Sequence, residues 1–431
     1  LIDMSCLHTT SPDFQAAFAA LLTRHGEADP AVRDTVAVII RRVRAEGDAA
    51  LFDLTARFDR FTPPALRLPE DFIHDHAARC PAPVRDALRM AAERITAFHT
   101  LQQPVAVHHT DTLGVRMGML WRPVDAVGLY VPGGRASYPS SVLMNALPAK
   151  VAGVPRIALT VPMPDGEINP AVMAAAELAG VTEVYCLGGA QAVAALAYGT
   201  ESILRVDKIV GPGNAWVAEA KRQVFGQVGI DAIAGPSEIL VMADASANPE
   251  WVAWDLLSQA EHDPMAQAIL ITDSEALAAQ VATAADAALV GLSEAARHSW
   301  RDHGAIIVVR ELATEGVDLA NRIAAEHLEL IVTDPEPYLA AIRHAGSVFL
   351  GPWTPEAIGD YLGGPNHVLP TSGTARFASG LSVYDFLKRT TYLACSETAF
   401  QAIGPAAATL ADAEGLPAHA GSVRVRQGYG V

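Results

Sequence analysis

Apolar positions recur three and four apart through the first hundred or so residues, in DPAVRDTVAVIIRRVRAEGDAALFDLTARFD and again in PAPVRDALRMAAERITAFHTL, a spacing that predicts amphipathic helices. An earlier helix is signalled by AAFAALL, with Ser11-Pro12-Asp13 as its start and Arg24-His25-Gly26-Glu27 after it. From about Asp125 the texture changes. DAVGLYVPGG, RIALTVPMP, VTEVYCLGGA and VDKIVGPGN are short β-branched runs, three of them closing on glycine-rich loops. Helical patterns lie between them: SSVLMNALPAKVAG, NPAVMAAAELAG, AQAVAALAYG and NAWVAEAKRQVFG. Strand–loop–helix alternation of this kind predicts a parallel sheet covered on both faces.

The alternation then repeats. SEILVMA, AQAILITD, AIIVVRE, LELIVTD and AGSVFLG read as strands, separated by WVAWDLLSQAEH, EALAAQVATAADAALV, VDLANRIAAEHL and PYLAAIRHA as helices. After Val383 the pattern returns to helix in YDFLKRTTYLA and ETAFQAIGPAAATLADAEG, followed by a short tail. The expected fold class is α/β, with two similar domains of about five strands each. Expected boundaries are 1–125 for a helical region partly packed on the second α/β domain, 126–236 and 237–382 for the two α/β domains, and 383–431 for a small helical C-terminal domain.

Composition narrows the class. At 431 residues the chain exceeds one ordinary core, and 51% hydrophobic with 18% charged residues excludes disorder. A net charge of −17 argues against a nucleic-acid partner. It leaves room for a dinucleotide, because helix N-termini and backbone amides hold phosphates locally. Only four of the 31 basic residues are Lys, at 150, 208, 221 and 388. The four Cys (6, 80, 186, 395) form no C-x-x-C pair and read as reduced thiols. No stretch reaches the roughly 18 apolar residues of a membrane span. The expectation is a soluble, cytoplasmic protein.

With fourteen His in the chain, a lone His says little, so local strings carry the argument. In SANPEWVAWDLLSQAEHDP, Asn248 suits an N-cap, Pro249 the first helical position and Glu250 the positive end of the dipole. Pro264 should stop the helix near His262. Gln259 and His262, three apart, then share one face and could converge on an ion. Taken alone, the stretch reads equally as a polar helix end in water. In AAEHLEL, Glu326 and His327 should close a helix just before a strand. They point apart and would do separate work, His327 as a base and Glu326 as a group that orients water. A His⁺ at a helix C-terminus serves the same string. IGDYLGGPNHVLPT is loop-like and offers Asp360 and His367; EGLPAHAGS offers Glu414 and His419 near the C-terminus. Turn formation, a buried hydrogen bond and a mobile tail are the bland alternatives for these.

Conjunction raises all of them. GLYVPGGRASYPSSVLMNALPAKVAGV, GGAQAVAALAYGT, KIVGPGNAWVAEAKR, IAGPSEILVMAD, LSQAEHDP, AAEHLEL, IGDYLGGPNHVLPT and SVYDFLKR run in one order from about residue 120 to 420. Together they resemble the histidinol dehydrogenase family. The resemblance implies one zinc per protomer, held by Gln259, His262 and Asp360 and by His419 supplied from the other protomer of a homodimer. It implies that L-histidinol contacts Ser237, His327, His367 and Glu414 together with those ligands, and that NAD lies against Tyr130, Gln191 and Asn214 of the 126–236 domain. None of the three glycine loops is G-x-G-x-x-G, so the Rossmann-like sheets are expected to be incomplete in character. The implied reaction is a four-electron oxidation in two hydride transfers, with His327 as base and Glu326 activating water for the second step. Cys186 reads as a buried apolar residue, so a thiol route is not expected.

Three rivals share these residues. A paralogue could oxidise another alcohol, such as a sulfonated propanediol, on the same scaffold; no residue here favours it. A zinc hydrolase could use a metal beside Glu326-His327, but H-E-x-x-H is absent and the glycine-loop arrays would lack a purpose. A non-catalytic metal-binding protein would not need the intact acid–base pair.

Overall fold

The computed structural model describes residues 5–22, 29–133 and 138–428; residues 24–27, expected to flank the first helix, lie outside these. The chain divides into two compact units. The first comprises Leu1–Gln102 with Asp125–Phe386, and the second comprises Gln103–Val124 with Leu387–Val431.

Two wholly parallel sheets organise the first unit. One has five strands in the order Glu183–Cys186, Arg156–Val161, Ala126–Tyr130, Lys208–Val210 and Gly229–Ile230. The other has six, in the order Ser5–His8, Ala305–Val308, Gln267–Thr272, Glu238–Ala243, His327–Ile331 and Ser347–Leu350. The mixed α/β architecture with helix-covered parallel sheets is the one the alternation predicts. The strand Ser5–His8 is an addition, in a region whose pattern reads as helical.

Full burial of the central strands follows from cover on both faces. In Glu238–Ala243, Ile239 and Val241 face one apolar layer, with Leu256, Leu257, Leu277 and Trp300. Leu240 and Met242 face the opposite layer, with Phe14, Phe18 and Leu319. Period-two alternation thus feeds two cores from one strand. Beside the five-stranded sheet, the alanines of helix Gly189–Tyr198 let helix Pro30–Glu46 pack close through Val36, Ile40 and Val43. Helix Pro249–Ala260 begins as its sequence dictates, the Asn248 side chain accepting from the Glu250 and Trp251 amides.

The second unit joins an antiparallel sheet, in the order Leu387–Ala394, Arg116–Pro123, Val107–Thr110, to helices Glu397–Ala413 and Pro417–Arg424. The helix expected over YDFLKRTTYLA is corrected here: Val383–Phe386 is a 3₁₀ turn and Leu387–Ala394 is a strand. Thr390, Thr391 and Tyr392 suit a strand, and eight residues pair with Arg116–Pro123. Among the described residues no helix is long and apolar enough to cross a membrane.

Candidate active site

Helix Val317–Ile323 ends on Ala324, which takes the left-handed conformation (φ 51°). Glu326 therefore lies in the connecting loop, not at a helix end as the sequence suggests, and His327 is the first residue of its strand. The neighbouring strand starts at Glu238, with His327 in register with Ile239. Two strand beginnings thus stand side by side, and Glu238 serves both acid–base residues through its backbone. Its N–H donates to Glu326 Oε2 at 3.0 Å, and its carbonyl accepts from His327 Nδ1 at 3.0 Å. The Ser237 hydroxyl also bonds to Glu326.

A carbonyl can only accept, so Nδ1 carries the proton and Nε2 keeps its lone pair. Nε2 is buried and has no partner among the described residues. Burial lowers the His327 pKa to about 3, helped by the nearby His262 and His367 rings and opposed by the Glu238 bond. Burial also lifts the Glu326 carboxyl well above its usual range, reinforced by the Glu238 and Asp360 carboxylates. The two groups are thus poised differently, an imidazole held neutral with a free lone pair and a carboxyl whose basicity is raised.

His327, Phe349, Ile358, Asp360 and His367 line a cavity of about 280 Å³, large enough for a small metabolite. His367 Nδ1 donates to the Asp360 carbonyl at 3.0 Å, and burial lowers its pKa to about 4. Arg94 donates to the Leu362 carbonyl and, at 3.4 Å, to that of Gly363, tying the glycine loop in place.

The expected zinc ligands can be tested against this geometry. Gln259 is fully buried, and its Oε1 has no partner among the described residues, an acceptor that a cation would satisfy. Its Nε2 lies 3.4 Å from His262 Nδ1, and the His262 ring acts electrostatically on Asp360. A neutral oxygen, an imidazole and a carboxylate form a donor set that fits zinc with room for substrate. A second grouping shares Asp360: one ligand atom each from His327, Glu356 and Asp360 lie within 4.8 Å of one another. Glu414 caps helix Glu397–Ala413 and His419 lies in helix Pro417–Arg424; both belong to the second unit and both are exposed.

The expected cofactor residues sit at the other sheet. Tyr130 ends its strand, Gln191 is in the first turn of helix Gly189–Tyr198, and Asn214 caps helix Ala215–Val224. All three lie at or just beyond the carboxyl ends of parallel strands, where open α/β sheets bind ligands. The Tyr130 hydroxyl accepts from the Gly189 amide at 3.1 Å, and burial pushes its pKa up to about 12. The Gln191 Oε1 is buried and has no partner among the described residues.

Glu238 and Glu356 escape a motif search. Glu238 works through its main chain while its carboxylate accepts from the Ser372 amide at 2.8 Å. Glu356 lies 3.4 Å from His327 Nδ1. A signal did exist for Glu238 and for Glu329: a lone acid inside the apolar strands EILVMA and HLELI. Cys186 is buried, donates to the Leu66 carbonyl at 3.2 Å, and has its pKa pushed up to about 11, so it is no nucleophile.

Comparison with known proteins decides the family. The histidinol dehydrogenase family model matches residues 22–427. The chain belongs to the histidinol dehydrogenase family. It is 62% identical over 425 residues to histidinol dehydrogenase 1 of Trichormus variabilis, covering 98% of each chain. It is 59% identical over 428 residues to the histidinol dehydrogenase of Rhodospirillum rubrum, covering 98% of this chain and 99% of the relative. The crystal structure of histidinol dehydrogenase from Elizabethkingia anophelis superposes with a TM-score of 0.94 at 36% identity, covering 99% of this chain and 98% of that one. Histidinol dehydrogenases are oxidoreductases by name, which leaves the hydrolase and the non-catalytic readings without support.

Proposed function

We propose that this histidinol dehydrogenase oxidises L-histidinol through the aldehyde to L-histidine at the end of histidine biosynthesis, reducing two NAD⁺. The observation that carries the reading is His327, which lines a cavity of about 280 Å³ and whose neutral Nε2 has no partner among the described residues, with Glu326 held next to it in the chain by the same Glu238 backbone.

Gln259, His262 and Asp360 would hold zinc, joined by the exposed His419 of a second protomer in a homodimer; Tyr130, Gln191 and Asn214 would hold NAD. Bound zinc would supply a fixed positive charge for the substrate's nitrogen atoms, and bound NAD would accept the hydrides. His327 Nε2 removes the alcohol proton while the Glu238 carbonyl steadies Nδ1–H. Glu326, its basicity raised by burial, takes a proton from the water that adds to the aldehyde. His327 then takes the proton of the resulting hydrate. Ser237, His367 and Glu414 are the remaining substrate contacts in this reading. Each substrate releases three protons and needs no thiol, His327 passing its first proton to solvent before it takes the second, in keeping with the inert Cys186. A cytoplasmic location belongs to the same reading.

The test is the number of NADH formed per L-histidinol consumed, before and after chelation and return of zinc. Two NADH, lost with the chelator and restored by zinc, is the expected result. No turnover by zinc-loaded protein would overturn the reading and turn attention to other primary alcohols.

A further inference from the structure

We propose that the buried ion pair between Lys221 and Asp231 is a positioning device that fixes the loop Gly211-Pro212-Gly213-Asn214 in its dinucleotide-accepting shape. The inference rests on the NAD reading above and names residues that reading does not use.

Lys221 is one of four lysines in a chain whose other 27 basic residues are Arg. Its side chain is 3% exposed and that of Asp231 is 5% exposed. The two pair directly, and they grip the same residue through its two flanking peptides. Asp231 Oδ2 accepts from the Gly211 N–H at 2.8 Å, while Lys221 Nζ donates to the Gly211 carbonyl at 3.0 Å. The other Asp231 oxygen accepts from the Ala232 amide at 2.7 Å, so the carboxylate cannot swing away cheaply.

Gly211 is also locked sterically. Its φ is +120°, and a Cβ there would stand 2.0 Å from the Tyr130 carbonyl oxygen. The loop is therefore pressed onto the end of the strand that carries Tyr130. Three residues later Asn214 accepts from the Trp216 and Val217 amides and starts the helix on which Lys221 sits. The result is a closed frame: strand end, glycine loop, helix start, and a charge from within the helix returning to the loop. Tyr130 extends that frame to the second glycine loop through Gly189.

Charge burial explains why this is positioning rather than stabilisation. Desolvating an ammonium and a carboxylate consumes most of what their attraction returns, and an apolar pair of similar volume commonly stabilises a fold at least as well. An apolar pair cannot, however, hold both the N–H and the C=O of Gly211. What the ion pair contributes and an apolar pair lacks is the orientation of the two peptides that meet at Gly211, and with it the place of Asn214.

The experiment compares wild type, Lys221→Met, Asp231→Leu and the double variant by steady-state kinetics, NAD calorimetry and thermal melting. Each single variant strands one buried charge and should melt early. The double variant should melt close to wild type, with KM and Kd for NAD raised about tenfold or more, kcat little changed and KM for L-histidinol unmoved. A double variant with wild-type KM for NAD, or one in which both KM values rise together, overturns the proposal. Amide exchange on wild-type protein gives an independent reading that needs no variant. The Gly211 amide should be as protected without NAD as with it, and fast exchange in the NAD-free protein overturns preorganisation. Wild type that binds no NAD would instead remove the cofactor reading itself, a failure visible before any variant is made.

Discussion

The two parallel sheets of the first unit carry their candidate site residues at opposite ends. In the five-stranded sheet the candidate cofactor residues lie at or just beyond the carboxyl ends of Ala126–Tyr130, Glu183–Cys186 and Lys208–Val210. In the six-stranded sheet the acid–base pair stands where Glu238–Ala243 and His327–Ile331 begin. The carboxyl end of a parallel strand opens onto a helix N-terminus, where amides and small residues let a phosphate approach. The amino end offers something different: two strand starts in register, so that one residue's N–H and C=O can serve two side chains at and just before the start of the next strand. Glu238 does this for Glu326 and His327. One end suits binding a large, charged ligand; the other suits holding two protonatable groups at fixed angles.

The sharpest way to break this division is to remove the base. His327→Asn should lower kcat by about 10³-fold, within the usual range for a general base. NAD affinity should stay unchanged, because the proposed cofactor residues lie on the other sheet. A loss of less than tenfold in steady-state turnover would mean that the strand-start pair does not carry the proton.

A smaller effect separates the sheets by pH. The folded-state pKa of His327 is depressed to about 3 and that of His367 to about 4, below the ordinary value of 6.5. Above 6.5 both states are neutral at these groups and the term is absent. As pH falls below 6.5 the unfolded chain takes up protons that the folded one refuses, so stability declines until the folded values are reached. Between pH 7 and 5 each group should cost about 2 kcal/mol, at about 1.4 kcal/mol per pH unit. Glu326, Glu329 and Glu356, whose folded pKa values are raised, act in the other direction, their burial becoming costly as pH rises. Urea melts should therefore show wild type losing about 2 kcal/mol more stability than His367→Asn between pH 7 and 5; equal losses would contradict the burial.

The smallest test uses two like caps. Asn214 and Asn248 each accept from two amides at a helix start. Either Asn→Ala change should cost about 1 kcal/mol of stability. Only Asn214→Ala should also raise KM for NAD, because only that helix start faces the proposed dinucleotide loop. Matching kinetics in the two variants would erase the contrast.

How much of this was legible beforehand depended on how local each signal was. Helix Pro249–Ala260 announces itself in Asn248-Pro249, and each β-branched run closing on glycine becomes a parallel strand. The residues gathered at the cavity were legible because each lies in its own characteristic string. What stayed hidden was non-local. Strand Leu387–Ala394 reads as helix because its partner, Arg116–Pro123, is far away in the chain, and because most of its residues are exposed and none is buried, so no buried face imposes alternation. Glu238 and Gly211 act through main-chain groups, which no residue type advertises. The Lys221–Asp231 pair is invisible for the same reason as the strand: nothing near Lys221 in sequence points to Asp231.

The second unit's sheet has a consequence for the ribosome. Arg116–Pro123 leaves the exit tunnel early, while the edge it shares with Leu387–Ala394 stays unfilled until roughly 260 further residues have been made, about 13–50 s at 5–20 residues per second. For that interval the nascent chain carries Met117, Met119, Leu120 and Trp121 beside an open strand edge, the kind of surface that holdase chaperones recognise and that neighbouring nascent chains on a polysome can stick to. His419 emerges later still, so in the proposed homodimer every copy would have to be finished and released before it could complete another's site.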